Sequence, residues 1–338
     1  MKDSAPMQDK ISRLRHARWC ILLAFCIAYP VAFANSAKSS PQNKHKSASA
    51  LSKKTSAARK VKALSARKRP VKQDFALESP LALRARAALV QDLNTGEILF
   101  ERQSHEVLPI ASITKLMMAL VLVESGVDLD QKISITEQDL RATMRVRSRL
   151  QKNSVLTRRE MLRLALMSSE NRAASALART HPKGMAGFID AMNARALALG
   201  MKDSRFLDAS GLDDGNVSTT HDLVKLVTAA EPFPLIREFS TWKSQSVRLR
   251  KRSLAYANSN NLISDDAWEI ALQKTGTTSK AGRCLVLLTT IAQRPVVMVL
   301  LHSEGHFGRA NDARYLRAWI EDNPPDPTSP DQITMINN

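Results

Sequence analysis

The stretch that most constrains this chain is Pro109-Ile110-Ala111-Ser112-Ile113-Thr114-Lys115, followed by the unbroken apolar run Leu116–Val123. A helix that is apolar all round is buried, so this run predicts a helix driven through the core with Ser112 and Lys115 at its N-terminal end. Residues three apart on a helix share a face. A serine hydroxyl is a weak nucleophile until a base sits beside it. A lysine held in apolar surroundings can be that base, because desolvation lowers its pKa. An isolated S-x-x-K also has a bland reading, in which Ser112 caps the helix and the Lys115 ammonium snorkels to water.

The formal charge of +18 over 338 residues first looks like a nucleic-acid binder. Its distribution argues otherwise. Between Ser36 and Gln73 lie twelve Lys or Arg and no Asp or Glu, whereas from Asp74 onward 33 basic residues face 30 acidic ones. The excess therefore belongs to a tail. Cys20 and Cys26 fall in an N-terminal apolar segment and Cys284 in a strand-like run, so no disulfide framework is expected. Cys284 is expected in the core.

Read in order, Lys10, Arg13, Arg15 and Arg18 precede an apolar run, Trp19–Phe33, that ends in Ala32-Phe33-Ala34. Positive flank, short apolar core and small-x-small end predict a secretory signal over 1–34 and a periplasmic protein; an uncleaved inner-membrane anchor is the alternative. Residues 35–82 are expected to be a disordered basic tether. It is either a solvated spacer or an electrostatic contact with anionic envelope surfaces, and the export signal argues against nucleic acid as its partner. A folded domain is expected over 83–322 and a Pro-rich, disordered tail over 323–338. Within the domain, Ala87–Val90 and Glu97–Phe100 predict a hairpin around Asp92–Gly96. Thr157 and Glu160 form a T-x-x-E capping box that opens a helix. Further helices are expected up to Pro182, over Gly187–Leu199 and over Asp222–Ala230. Trp268–Lys274, Arg283–Ala292 and Val296–His302 predict three strands, and Arg309–Glu321 a closing helix. The fold class is α+β: an antiparallel sheet packed by helices, with an all-helical subdomain inserted between early and late strands.

Two further triplets follow the first. Ser169-Glu170-Asn171 lies between two predicted helices 57 positions after Ser112, and Lys274-Thr275-Gly276 lies at a predicted strand end 105 positions after Ser169. S-x-x-K, S-x-N and K-T-G in this order resemble the penicillin-recognising serine enzymes, the DD-peptidases and serine β-lactamases; the motif set is a familiar one for that group. The resemblance covers roughly Leu83–Glu321. It implies the β-lactamase/transpeptidase-like fold and an acyl-enzyme on Ser112. Lys115 would take the Ser112 proton, and Lys274 would help keep Lys115 neutral. Ser169 and Asn171 would bridge the two lysines and contact the substrate, with Ser169 passing a proton to the leaving amine. Lys274 and Thr275 would hold a substrate carboxylate, Gly276 would let a peptide lie close, and the N–H groups of Ser112 and Thr277 would form an oxyanion hole.

The bland alternatives are that Ser169 and Asn171 only cap helices and that Lys274-Thr275-Gly276 only ends a strand. The seven histidines are scattered without H-E-x-x-H, so neither a metal nor a cofactor is expected. His221 reads as a surface residue at a helix start. No E-x-x-L-N pattern occurs between Asn171 and Asn216, which implies slow deacylation of penicillins and a peptidase inhibited by β-lactams rather than a β-lactamase. A non-catalytic wall-binding protein is disfavoured because all three triplets are intact. The seventeen residues after Glu321 are too few for a further domain, and Ala281-Gly282-Arg283-Cys284 resembles the small DD-endopeptidase subgroup. The expected activity is therefore cleavage of D-alanyl–meso-diaminopimelate cross-links between peptidoglycan stem peptides, with DD-carboxypeptidase action as the alternative. Arg283 is either a second cation for the substrate or a surface residue.

Overall fold

A computed structural model describes residues 83–144, 146–249 and 252–323. The expected signal, the tether and the tail beyond Asn323 lie outside the described residues. The chain enters through β1 (Ala85–Asp92), β2 (Ile98–Arg102) and the short β3 (Leu108–Pro109). A 3-10 turn, Ala111–Ile113, leads into α1 (Thr114–Glu124). The helical region then holds β4 (Lys132–Ser134), α2 (Glu137–Ala142), β5 (Val155–Thr157), α3 (Arg158–Met167), α4 (Asn171–Arg179) and α5 (Gly184–Ala198). It closes with β6 (Val217–Ser218), α6 (Thr220–Ala230) and α7 (Pro234–Thr241). A hairpin of β7 (Ser244–Leu249) and β8 (Arg252–Ala257) precedes β9 (Ile270–Thr278), β10 (Gly282–Ile291), β11 (Arg294–Ser303) and α8 (Gly308–Asp322).

The main sheet is antiparallel with strand order β2-β1-β11-β10-β9. Its apolar strands are buried on both faces, and successive residues divide between two cores by the period of two. In β11, Val297, Val299 and Leu301 face α6 in the core that also holds α1, while Val296, Met298 and Leu300 join Ala313, Leu316 and Ile320 of α8. All side chains from Thr114 to Leu122 are buried, as the apolar run required. The helical region lies between the early and late strands, so the α+β layout holds. The Thr157–Glu160 capping box opens α3, with the Thr157 hydroxyl accepting from the Glu160 N–H.

Several boundaries differ from expectation. Lys274-Thr275-Gly276 lies inside β9, because its ladder with β10 continues through Thr278↔Gly282. The helix expected from Gly187 begins at Gly184. Ser112 lies in the 3-10 turn, and α1 begins at Thr114. The elements α2, α7 and the β7–β8 hairpin were not anticipated.

Candidate active site

Ser112 is brought beside Lys115 by the junction of the 3-10 turn with α1. Lys115 is fully buried, and its Nζ lies 2.8 Å from Ser112 Oγ, 2.6 Å from Asn171 Oδ1 and 2.5 Å from the Ser210 carbonyl oxygen. The lysine therefore does not snorkel, and no side chain caps the turn. Three acceptors match the three N–H bonds of an ammonium. Once that group loses a proton, Asn171 and Ser210 can take the two N–H bonds that remain. The lone pair is then left facing Ser112 Oγ, which is the arrangement a base needs. Burial pushes the Lys115 pKa down to about 7, against the upward pull of the Asp208 and Glu170 carboxylates.

The Ser210 carbonyl is held by a built turn. Asp208 Oδ1 accepts from the Ser210 N–H (2.5 Å), the Ser210 hydroxyl (3.0 Å) and the Gly211 N–H (2.6 Å), while Oδ2 accepts from the Asp213 N–H (2.6 Å). Fully buried Asn216 ties this loop to α1. It accepts from the Leu207 N–H at 2.6 Å and donates to Thr114 Oγ1 at 3.1 Å. Gly211, at φ +81°, packs on the Ala111–Ser112 backbone so closely that a Cβ there would overlap the Ala111 carbonyl. Ala111 itself has φ +48° and Ser169 φ +60°. Left-handed conformations in non-glycine residues cost energy and gather where a fold fixes a working geometry.

The S-x-N triplet connects α3 to α4, but its serine and asparagine are not the caps. Ser168 ends α3, and Glu170 caps α4 by accepting the Arg172 N–H at 3.2 Å. That leaves Asn171 to face Lys115. No hydrogen bond runs from Ser169 or Asn171 to Lys274 among the described residues, so the expected bridge between the lysines is formed on the Lys115 side alone.

Lys274 is fully buried in β9, where its Nζ donates to the Thr275 carbonyl at 2.9 Å. Its pKa lies well below the ordinary value, first through burial and then through the charges of Lys115 and Arg309. The Thr275 and Ser259 hydroxyls are 2.7 Å apart. A Cβ on Gly276 would come within 2.7 Å of the Ile110 carbonyl oxygen and 3.2 Å of the Ser112 nitrogen, so the glycine lets this edge strand close on the Ser112 backbone. Thr277 Oγ1 donates to the Gly276 carbonyl at 2.6 Å.

Sequence reasoning missed Arg309. Its guanidinium donates to the Gly276 carbonyl (2.9 Å), Thr277 Oγ1 (3.0 Å) and the Cys284 carbonyl (3.3 Å), and burial lowers its pKa to about 10. Arg283 pairs with Thr277 across the ladder and adds charge beside it. A signal was available, since a cation in the first turn of α8 opposes the helix dipole and needs another reason to be there. The Asp208 turn and the Ser210 carbonyl were missed as well. Cys284 is a buried core thiol, pushed up to about 11 by burial.

The arrangement places a hydroxyl, a lowered lysine and a cluster of further cations along one strand edge. Such a site can attack a carbonyl in a ligand bearing a carboxylate. The sequence profile of the D-alanyl-D-alanine carboxypeptidases, peptidase family S11, matches residues 73–305. The chain belongs to the S11 family of serine D-Ala-D-Ala peptidases. Among S11 relatives, a D-alanyl-D-alanine endopeptidase of Pseudomonas aeruginosa is 44% identical over 75% of this chain and 81% of its own length. One of Escherichia coli is 42% identical over 70% of this chain and 76% of its own length. The fold matches the Streptomyces K15 DD-transpeptidase, with TM-score 0.65 and 25% identity over 70% of this chain and 97% of that one.

Proposed function

We propose that this S11 peptidase is a periplasmic, penicillin-sensitive DD-endopeptidase that hydrolyses D-alanyl–meso-diaminopimelate cross-links through an acyl-enzyme on Ser112. The observation that carries the mechanism is Lys115 Nζ at 2.8 Å from Ser112 Oγ, with its other N–H bonds committed to Asn171 and Ser210. Lys115 removes the Ser112 proton as the oxygen attacks the D-alanyl carbonyl. The N–H groups of Ser112 and Thr277 receive the developing oxyanion. Ser169, beside Asn171, returns a proton to the leaving amine, and water then releases the acyl group. Lys274, Thr275 and Arg309 hold the carboxylate of the leaving side, and Gly276 keeps the strand edge open to the peptide. Two relatives at more than 40% identity carry the endopeptidase name, which favours cross-links over stem-peptide ends.

The test offers cross-linked muropeptide dimers and uncross-linked pentapeptides side by side, with labelled penicillin as an acylation probe. Dimers are expected to be cut. Penicillin is expected to label Ser112 and to fail on Ser112→Ala. Release of D-alanine from pentapeptides with dimers left intact would replace endopeptidase by carboxypeptidase. Labelling that persists in Ser112→Ala would remove the serine from its role.

A further inference from the structure

The near balance of charge after Asp74 hides a segregation. Between Asp139 and Glu160 the chain carries seven Lys or Arg and no acid, and between Glu238 and Asp265 it carries five and no acid. The fold brings these two segments together. Arg252 Nη2 donates to the Arg149 carbonyl at 3.0 Å, and the Arg149 guanidinium lies 3.9 Å above the centre of the Tyr256 ring. Between the β4–β5 ribbon and the β7–β8 hairpin they enclose a groove of about 610 Å³, lined by Lys132, Lys152, Arg248 and Arg252.

All four cations are exposed. Lys152 pairs with Glu137 at 3.1 Å, but no carboxylate among the described residues pairs with Lys132, Arg248 or Arg252. The groove's own acid, Glu160, is occupied in the cap of α3, accepting from the Thr157 N–H at 2.8 Å. The charges of Lys132, Arg248 and Arg252 therefore have no ion-pair partner within the described structure.

Hydrogen bonds from the segments that wall the groove also reach the rim of the active site. Ser148, next to Arg149, donates to Glu170 Oε1 at 2.6 Å, and Glu170 stands between Ser169 and Asn171. Strand β8, whose first residue Arg252 lines the groove, runs on past its far end to Ser259, whose hydroxyl is 2.7 Å from that of Thr275. A peptide held along β9 and leaving the cleft on the Ser169 side would run toward the Ser148–Arg149 segment, against which Arg252 is held.

We propose that this groove is a subsite for the acidic stem peptide that continues past the cleaved bond. The inference rests on the cross-link reading above, because only a cross-linked substrate has a stem peptide on each side of the scissile amide. Stem peptides carry free carboxylates, and neutral glycan offers nothing for four cations to recognise. A concave groove between two ribbons suits an extended chain better than a flat anionic surface, and its volume lies within the usual range for a ligand site. Exposed pairs are individually weak and are screened over about 8 Å at physiological salt. The subsite therefore works by summing several contacts and by drawing the substrate in.

The test uses full-length protein. Lys132→Gln/Arg248→Gln changes two side chains that make no hydrogen bond or ion pair among the described residues; Arg252→Gln is made separately. Substrates are a soluble cross-linked muropeptide dimer and the same dimer with its carboxylates amidated. We expect the double variant to raise KM for the native dimer roughly five- to tenfold with kcat unchanged. The salt dependence of kcat/KM should flatten, the amidated dimer should be insensitive, and penicillin acylation should be unaltered. An unchanged KM in both variants overturns the subsite, as does an equal effect on the amidated dimer. Loss of binding to phosphatidylglycerol vesicles with dimer KM unchanged would assign the groove to an anionic lipid surface instead. If the wild-type protein cuts pentapeptides and leaves dimers intact, the cross-link reading fails separately. Dimer binding to Ser112→Ala then decides the subsite, and binding that ignores the charge substitutions rejects it.

Discussion

Asp208→Asn probes how the site tunes its base. Lys115 is lowered from 10.5 to about 7, chiefly by burial, while Asp208 and Glu170 pull it upward. Each pKa unit is about 1.4 kcal/mol, so the fold destabilises the ammonium by about 5 kcal/mol. At pH 7 about half of Lys115 is then neutral, against roughly three in ten thousand for an ordinary lysine. Acylation should accordingly rise with pH through about 7 and level off above it. Removing the Asp208 charge disfavours the ammonium further, so the rising limb of the variant should move to lower pH. Stability should fall at the same time. An asparagine side chain keeps one acceptor oxygen where Asp208 receives four hydrogen bonds on two. With the oxygen kept in the Oδ1 place, the bond lost is the one from the Asp213 N–H, and losing it from a partly buried carboxylate costs about 3 kcal/mol, at the upper end for a charged partner. For a domain of this size that lowers Tm by about 6–12 °C. The assay is stopped-flow acylation by a fluorescent penicillin from about pH 5.5 to 9.5, a range that spans the shifted lysine, with calorimetry on the same samples. A limb that stays in place or moves to higher pH would refute the electrostatic argument, even if Tm falls as expected.

Three other outcomes follow from the same geometry. Gly276→Ala must open the contact between β9 and the Ser112 backbone, and overpacking of this kind costs about 1–3 kcal/mol; acylation should fall about 10–10²-fold, and an unchanged rate would show that the close approach is not needed. Lys115→Ala should lose about 10²–10⁴-fold in acylation, the typical contribution of a positioned general base, whereas Lys274→Ala should mainly raise KM; intact acylation in Lys115→Ala would sink the assignment. Deleting residues 36–73 should leave activity on soluble fragments unchanged and lower retention on isolated envelopes at low salt; retention equal to the full chain across a salt series would reduce that segment to a spacer.

The parts of the site carried by side chains at short spacing were legible in the sequence. Ser112 and Lys115 sit at the head of an apolar run that has to be buried, and the two later triplets stand where α4 begins and within β9. The Ser210 carbonyl was not legible, because a backbone oxygen leaves no residue-type signature. What could be read was its support, an aspartate two residues before a Ser-Gly pair, which is an Asx-turn pattern. Arg309 was hidden because it reaches β9 from a helix that otherwise reads as packing. The strand bounds of β9 were missed for a related reason. Gly276 reads as the end of a strand in sequence, yet Thr277 and Thr278 pair with Arg283 and Gly282 and extend the ladder. The β7–β8 hairpin does alternate, with Val247 and Tyr256 buried, but the run of cations at its tip masks the period.

That run also shows why net charge is a poor guide to where a protein meets anions. Summed from Asp74 onward, basic and acidic residues nearly cancel. The acids, however, are largely spent on local work: Asp139 on Arg179, Asp92 on Arg294, Glu160 on its helix cap, Asp208 on its turn. A carboxylate committed to a nearby donor neutralises little beyond that contact. Lys132, Arg248 and Arg252 have no such partner in the described structure, so the field outside the groove is theirs. Lys274 and Arg309 extend the same sign along β9, where burial rather than solvent surrounds them. A substrate that reached both places would meet two sets of cations, deep and desolvated at β9 and shallow and screened in the groove. Salt should therefore weaken the groove contacts first and leave the buried β9 contacts nearly intact. A dimer and a short penicillin-like ligand should then differ in salt sensitivity even though they acylate the same serine.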